Sequence, residues 1–120
     1  MINLQDVVEE GKNKVSVFCS RCPSKILNSK SASYKSIQMS LPYLHKKGDN
    51  ESQAEELTDF WEVLDMYTFE NMGFSNTMDD KKYLICADCE MGPLGWHDLT
   101  TKVNYVALSR VKHNEDVAKK

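Results

Sequence analysis

Apolar residues in this chain come in short alternating or continuous runs broken by polar stretches, a pattern that predicts β-structure rather than long helices. Val15-Ser16-Val17-Phe18 runs straight into Cys19 and predicts a short strand feeding a tight turn. The stretch 31–41, carrying Tyr34, Ile37, Met39 and Leu41, predicts a second strand. Pro42 should end it, because proline has no N–H for a ladder and restricts the residue before it. From His45 to Glu56 almost nothing is apolar, and Lys46-Lys47-Gly48-Asp49-Asn50 marks 43–56 as one long mobile loop.

Residues 56–74, ELTDFWEVLDMYTFENMGF, carry two periods at once. Leu57, Phe60, Trp61 and Leu64 fall at helical spacing, and Ser52-Gln53-Ala54-Glu55 has the form of a capping box, so 52–64 reads as either helix or strand. Further on, Trp61, Val63, Asp65, Tyr67 and Phe69 alternate with Glu62, Leu64, Met66, Thr68 and Glu70, which favours a strand ending at an Asn71-Met72-Gly73 turn. Tyr83-Leu84-Ile85 predicts another short strand, and 103–111 a strand apolar on both faces and therefore central. The resulting expectation is a mainly β fold in a single domain spanning 1–120, with 1–14 and 113–120 flexible. Trp61 and Trp96 are assigned to the core or to turn packing, because large aromatic residues are mostly buried.

A chain of 120 residues suits one domain, and its 41% hydrophobic and 28% charged residues are ordinary for a globular protein. No apolar run approaches the roughly 20 residues of a membrane helix, and Met1-Ile2-Asn3-Leu4-Gln5-Asp6 lacks a basic region leading into an apolar one, so a cytosolic location without membrane insertion is expected. Charge is uneven: residues 51–100 hold twelve acidic and two basic side chains. Such a segment binds phosphate poorly, which argues against nucleic acid and for a partner with basic groups.

Candidate chemistry centres on Cys19-Ser20-Arg21-Cys22 and Cys86-Ala87-Asp88-Cys89, two identical C-x-x-C pairs at the ends of apolar runs. In a reducing compartment this spacing points to metal or redox chemistry rather than stable disulfides. Four thiolates close a tetrahedral zinc site, and a pair about sixty residues from its mate makes the ion a staple of the fold rather than the centre of a local finger. A thioredoxin-like role fits less well, because it needs one such motif followed by a helix in a βαβ unit, and here there are two with no helix predicted after either. A closed set of four sulfurs leaves no open position for a reactive water. No G-x-S-x-G, Walker loop or H-E-x-x-H occurs, and nothing selects a catalytic pair among the 18 acids. His97, close in sequence to the second pair, is a candidate hydrogen-bond donor to the metal ligands.

The stretches FCSRC, FENMGF, CADCEMGPLGWH and YVALSRV, in this order and spacing, resemble the Rab-interacting factor family, the mammalian suppressor of Sec-four type. The resemblance covers nearly the whole chain and is weakest at 1–14 and 42–56. It implies a β-tent of twisted antiparallel sheets stapled by one structural zinc ion, a fold also seen in translationally controlled tumour protein. Cys19, Cys22, Cys86 and Cys89 would be the ligands. It further implies a monomer that binds exocytic Rab GTPases, prefers their nucleotide-free form and releases nucleotide slowly, acting as an exchange factor or holding chaperone. Such a protein performs no chemistry of its own and meets membranes only through its Rab. By the same resemblance the partner surface would comprise Asp65, Met66, Tyr67, Phe69, Glu70, Asn71 and Phe74, with Asp88 and Glu90 from the second pair. The family often has phenylalanine where this chain has Tyr67, and an acid where it has Leu64. The competing function class is a metal-stapled structural adaptor for some other protein, which the acidic middle and the missing catalytic motifs also fit.

Overall fold

The structure, a computed structural model, describes residues 4–46, 53–78 and 80–114. A single helical turn, α1 (Leu4–Val7), leads into the two-residue strands β1 (Val8–Glu9) and β2 (Lys12–Asn13). There follow β3 (Ser16–Cys19), β4 (Lys25–Leu27), β5 (Ser33–Pro42), β6 (His45–Lys46) and β7 (Ala54–Val63). The rest are β8 (Met72–Met78), β9 (Lys81–Cys86), β10 (Met91–Gly92), β11 (Gly95–Asp98), β12 (Asn104–Ala107) and β13 (Val111–Asn114). They form an eight-stranded sheet in the order β1-β2-β5-β7-β12-β11-β9-β8, a three-stranded sheet β13-β3-β4 and the pair β10-β6. Every pairing is antiparallel. The mainly β expectation therefore holds.

The period of two decides where the core lies. On the large sheet Trp61 and Val63 of β7, Leu84 and Cys86 of β9 and Val106 of β12 point one way. They meet Val17, Cys19, Ile26, Leu27 and Val111 of the small sheet, and this contact is the main core. Phe60, Trp96, Ala107 and Leu41 point the other way into a second cluster, where the Phe60 and Trp96 rings meet edge to face at 5.0 Å and Trp96 stacks on Tyr105 at 4.5 Å. Trp61 is fully buried, and its indole N–H donates to His113 Nε2 at 2.9 Å, which ties β13 of the small sheet to the centre of the large one.

Several sequence expectations change. Residues 54–63 are a strand and not a helix: Phe60 and Trp61 feed the two opposite clusters, an arrangement only a pleated strand allows, and Ser52 of the supposed capping box lies outside the described residues. The strand expected over 65–69 is a 3-10 turn at 66–68, because the Asp65 carboxylate accepts the Tyr67 N–H at 2.9 Å and caps it. Asn71 adopts φ 54 as a turn residue, while Met72 and Gly73 already belong to β8. The strand expected over 103–111 is two strands in different sheets, β12 and β13, separated by a 3-10 turn at 108–110. Pro42 is the last residue of β5, paired with Ala54. Of the loop expected over 43–56, the flanks are β6 and the start of β7, and 47–52 lie outside the described residues. Near the N-terminus, 4–13 form α1, β1 and β2, with the Asn13 side chain fully buried.

Candidate functional site

Strand β3 of the small sheet and β9 of the large one each deliver a C-x-x-C turn to the same point. Cys19 and Cys86 end their strands and are buried, while Cys22 and Cys89, across the turn, are half-buried. The Arg21 N–H donates to Cys19 Sγ at 3.3 Å and the Asp88 N–H to Cys86 Sγ at 3.4 Å, so both turns aim a backbone dipole at the first sulfur. Across the site Cys19 Sγ lies 3.6 Å from Cys89 Sγ, and Cys22 Sγ 3.6 Å from Cys86 Sγ. All four sulfurs are within 4.8 Å of one another. A regular tetrahedron with metal–sulfur bonds near 2.3 Å has edges of about 3.8 Å, so the set fits one tetrahedral ion.

Ionisation of these thiols is unequal. Burial pushes Cys89 up to about 12 and raises Cys86 as well. At Cys22 burial also opposes the charge, but hydrogen bonding, first from the Ser24 N–H and then from Cys86 and Cys89, outweighs it and brings the group down to about 7. A divalent cation supplies the positive charge that lets all four act as thiolates. Soft, all-sulfur ligation with no spare position suits zinc held as a structural ion.

His97 does not serve this centre. Its Nδ1 meets Asn104 Oδ1 at 2.7 Å, and its ring lies edge-on to Phe74 at 5.4 Å. Gly95 explains how β11 passes so close to its neighbour: a Cβ there would sit 1.7 Å from the Tyr105 carbonyl oxygen. Arg110, buried, donates to the Pro93 carbonyl at 2.7 Å and pairs with Glu55 at 3.1 Å, fixing the chain as it leaves the second turn.

The other residues singled out in the sequence separate into two groups. Leu64, Met66 and Tyr67 stand out from the turn after β7 with 72%, 42% and 89% of their surfaces exposed. Phe69 and Phe74 are half-buried against the main core. Asp65 is exposed but occupied in capping, and Glu70, Asn71, Asp88 and Glu90 are exposed acids and an amide around the metal turns. Contacts unforeseen in the sequence join them. Ser24 Oγ donates to Asp88 Oδ2 at 2.5 Å, Asn28 Nδ2 to Glu70 Oε2 at 2.9 Å, and Asn71 Nδ2 to the Lys25 carbonyl at 2.9 Å. Sequence separations of 64, 42 and 46 residues left no local pattern from which these pairs could be read.

Comparison with known proteins now bears on this arrangement. The model of the Mss4 protein family matches residues 12–113. This chain belongs to that family. A protein of Drosophila melanogaster named guanine nucleotide exchange factor MSS4 homolog is 43% identical over 116 residues, covering 94% of this chain and 95% of its own length. A protein of the same name from Schizosaccharomyces pombe is 29% identical over 99 residues, covering 82% of this chain and 95% of its own. The matched span of the Mss4 model includes both cysteine turns and the exposed 64–67 segment.

Proposed function

We propose that this Mss4-family protein is a guanine nucleotide exchange factor and holding chaperone for a Rab-class small GTPase, stapled by one structural zinc ion on Cys19, Cys22, Cys86 and Cys89. The observation that carries the reading is the exposed apolar strip Leu64, Met66 and Tyr67, set on a capped turn and followed by Glu70 and Asn71, which hydrogen bonds tie to the residues after the first metal turn. Exposed aromatic and methionine side chains beside fixed acids suit a protein partner carrying both apolar and basic groups. The names of the relatives support a nucleotide-exchange role.

Physically, a small GTPase holds its nucleotide through a phosphate loop, a lysine and Mg²⁺. A partner that binds the opened loop and displaced switch segments more tightly than the closed ones lowers nucleotide affinity by that difference, and nucleotide must expel the partner in return. Glu70 and Asp88 would meet basic groups freed when phosphate leaves, and Met66 and Tyr67 would supply apolar contact. No proton transfer is required of any residue. The protein would act from the cytosol and reach membranes through its Rab.

The test is complex formation with a panel of nucleotide-free Rabs, followed by addition of GTP. Dissolution of a complex by GTP is the expected result. A complex that survives saturating GTP would instead mark the protein as an ordinary adaptor, and Tyr67→Ala should weaken the Rab complex while leaving zinc content unchanged.

A further inference from the structure

The segment 24–28, from the end of the first metal turn through β4, touches the acids of the proposed surface repeatedly without being exposed apolar surface itself. Ser24 donates its hydroxyl proton to Asp88 Oδ2 at 2.5 Å. Ser24 is fixed in turn, because its carbonyl accepts the Cys19 N–H at 2.9 Å. Four residues on, the Asn28 amide is oriented at both ends: its Oδ1 accepts from Lys25 Nζ at 3.0 Å and its Nδ2 donates to Glu70 Oε2 at 2.9 Å. The Asn28 carbonyl is anchored to the interior by Asn13 Nδ2 at 2.8 Å, and Asn13 is fully buried. Between the two acids, the Ile26 carbonyl accepts the Glu70 N–H at 2.9 Å and the Lys25 carbonyl accepts from Asn71.

We infer that Ser24 and Asn28 are positioning residues for the partner surface, holding Asp88 and Glu70 against the two ends of β4 before any partner arrives. Each carboxylate is held through one oxygen, Oδ2 in Asp88 and Oε2 in Glu70, which leaves the other for a partner's cation. An exposed carboxylate otherwise loses side-chain freedom on binding, and a prior hydrogen bond removes part of that loss. The β3–β4 hairpin is in this view a template, and the acids from two distant parts of the chain are aligned on it. The inference rests on the Rab-binding reading of the same surface, and its test separates the two.

Two measurements are made on zinc-loaded protein: hydrogen exchange of the amides at 70–71 and 87–90, with no partner present, and release of fluorescent GDP from the Rab that responds most strongly to the unsubstituted protein. Ser24→Ala should speed exchange at 87–90, Asn28→Ala at 70–71, and each should slow GDP release by about three- to tenfold, the range of one ordinary, solvent-exposed hydrogen bond. Ser24→Thr, which keeps the hydroxyl, should restore both readouts. In an Asp88→Ala background Ser24→Ala should add nothing to the loss of release, and Asn28→Ala should add nothing in Glu70→Ala, whereas a merely structural role would give additive losses. Unchanged exchange in both variants, or additive losses in both cycles, overturns the inference. If Ser24→Ala also loses zinc, the Asn28–Glu70 cycle, which involves no residue of either cysteine turn, decides. If no Rab responds to the unsubstituted protein, the functional reading fails, and the exchange data alone decide whether the acids are positioned.

Discussion

The two metal turns have nearly the same geometry and opposite surroundings. Each begins at a buried cysteine ending a strand, each accepts an N–H from the residue two positions on, and each closes with a half-buried cysteine. The intervening residues diverge. The first turn carries Ser20, whose buried hydroxyl has no hydrogen-bond partner among the described residues, and the exposed Arg21, which lines an open cleft of about 500 Å³ with Tyr43, Leu44, Leu57 and Arg110. The second carries exposed Ala87 and an Asp88 tied down by Ser24. A four-cysteine cluster of this shape requires only the cysteines and the backbone between them, and leaves the two middle side chains free for other work.

The largest effect should come from breaking what the turns share. Cys19→Ser and Cys86→Ser, one in each turn, should each abolish stoichiometric metal binding and cost at least about 4 kcal/mol, a fall in Tm of more than about 15 °C for a domain of this size. Metal analysis and thermal melts check it, and a variant that melts normally without metal would show that one turn is dispensable. Next comes the difference between the turns. Asp88→Ala should slow Rab nucleotide release about tenfold while Arg21→Ala changes it by less than about twofold, both with full metal content. Equal losses would erase the functional distinction.

A smaller effect concerns how the first turn's strand is held. Strand β3 pairs with β13, whose His113 accepts the Trp61 indole N–H through an unprotonated Nε2. Burial brings His113 down to about 4 from the ordinary 6.5. The unfolded chain therefore takes up this proton below about pH 6.5 while the folded chain resists it to about pH 4, so stability falls as the pH drops through that window and the effect is complete below it. Because the ring is only partly buried, about 1–2 kcal/mol is expected, and His113→Gln should flatten that part of a denaturant-against-pH profile by this amount. Smallest is Ser20→Ala, which makes the first turn resemble the second: removing an unpartnered buried hydroxyl should stabilise by about 0.5–1 kcal/mol in denaturant melts.

The sequence exposed the turns far better than their setting. Apolar runs entering each C-x-x-C announced β3 and β9, and the repeated spacing announced a shared cluster of four cysteines, because both signals are local. The family motifs were legible for the same reason, and the Mss4 match agrees with them. Residues 54–63 stayed ambiguous because a strand buried on both faces places Phe60 beside Trp61, which also fits one face of a helix. The 65–69 strand failed because one side-chain hydrogen bond, Asp65 to the Tyr67 N–H, outweighed an alternating pattern. Ser24 and Asn28 could not be found at all, since small polar residues after a turn look the same whether they face water or a distant carboxylate.

The span between the two halves of the metal site also sets a clock. Cys22 and Cys86 are 64 residues apart, and Cys19 and Cys89 are 70. At synthesis rates of about 5–20 residues per second, the first pair of thiols leaves the ribosome roughly 3–14 s before its mates. Strand β13, which borders β3, arrives later still. Capture of an ion by all four thiols would thus be a late event in the life of the nascent chain, with Cys19 and Cys22 waiting those seconds for the other half of their cluster.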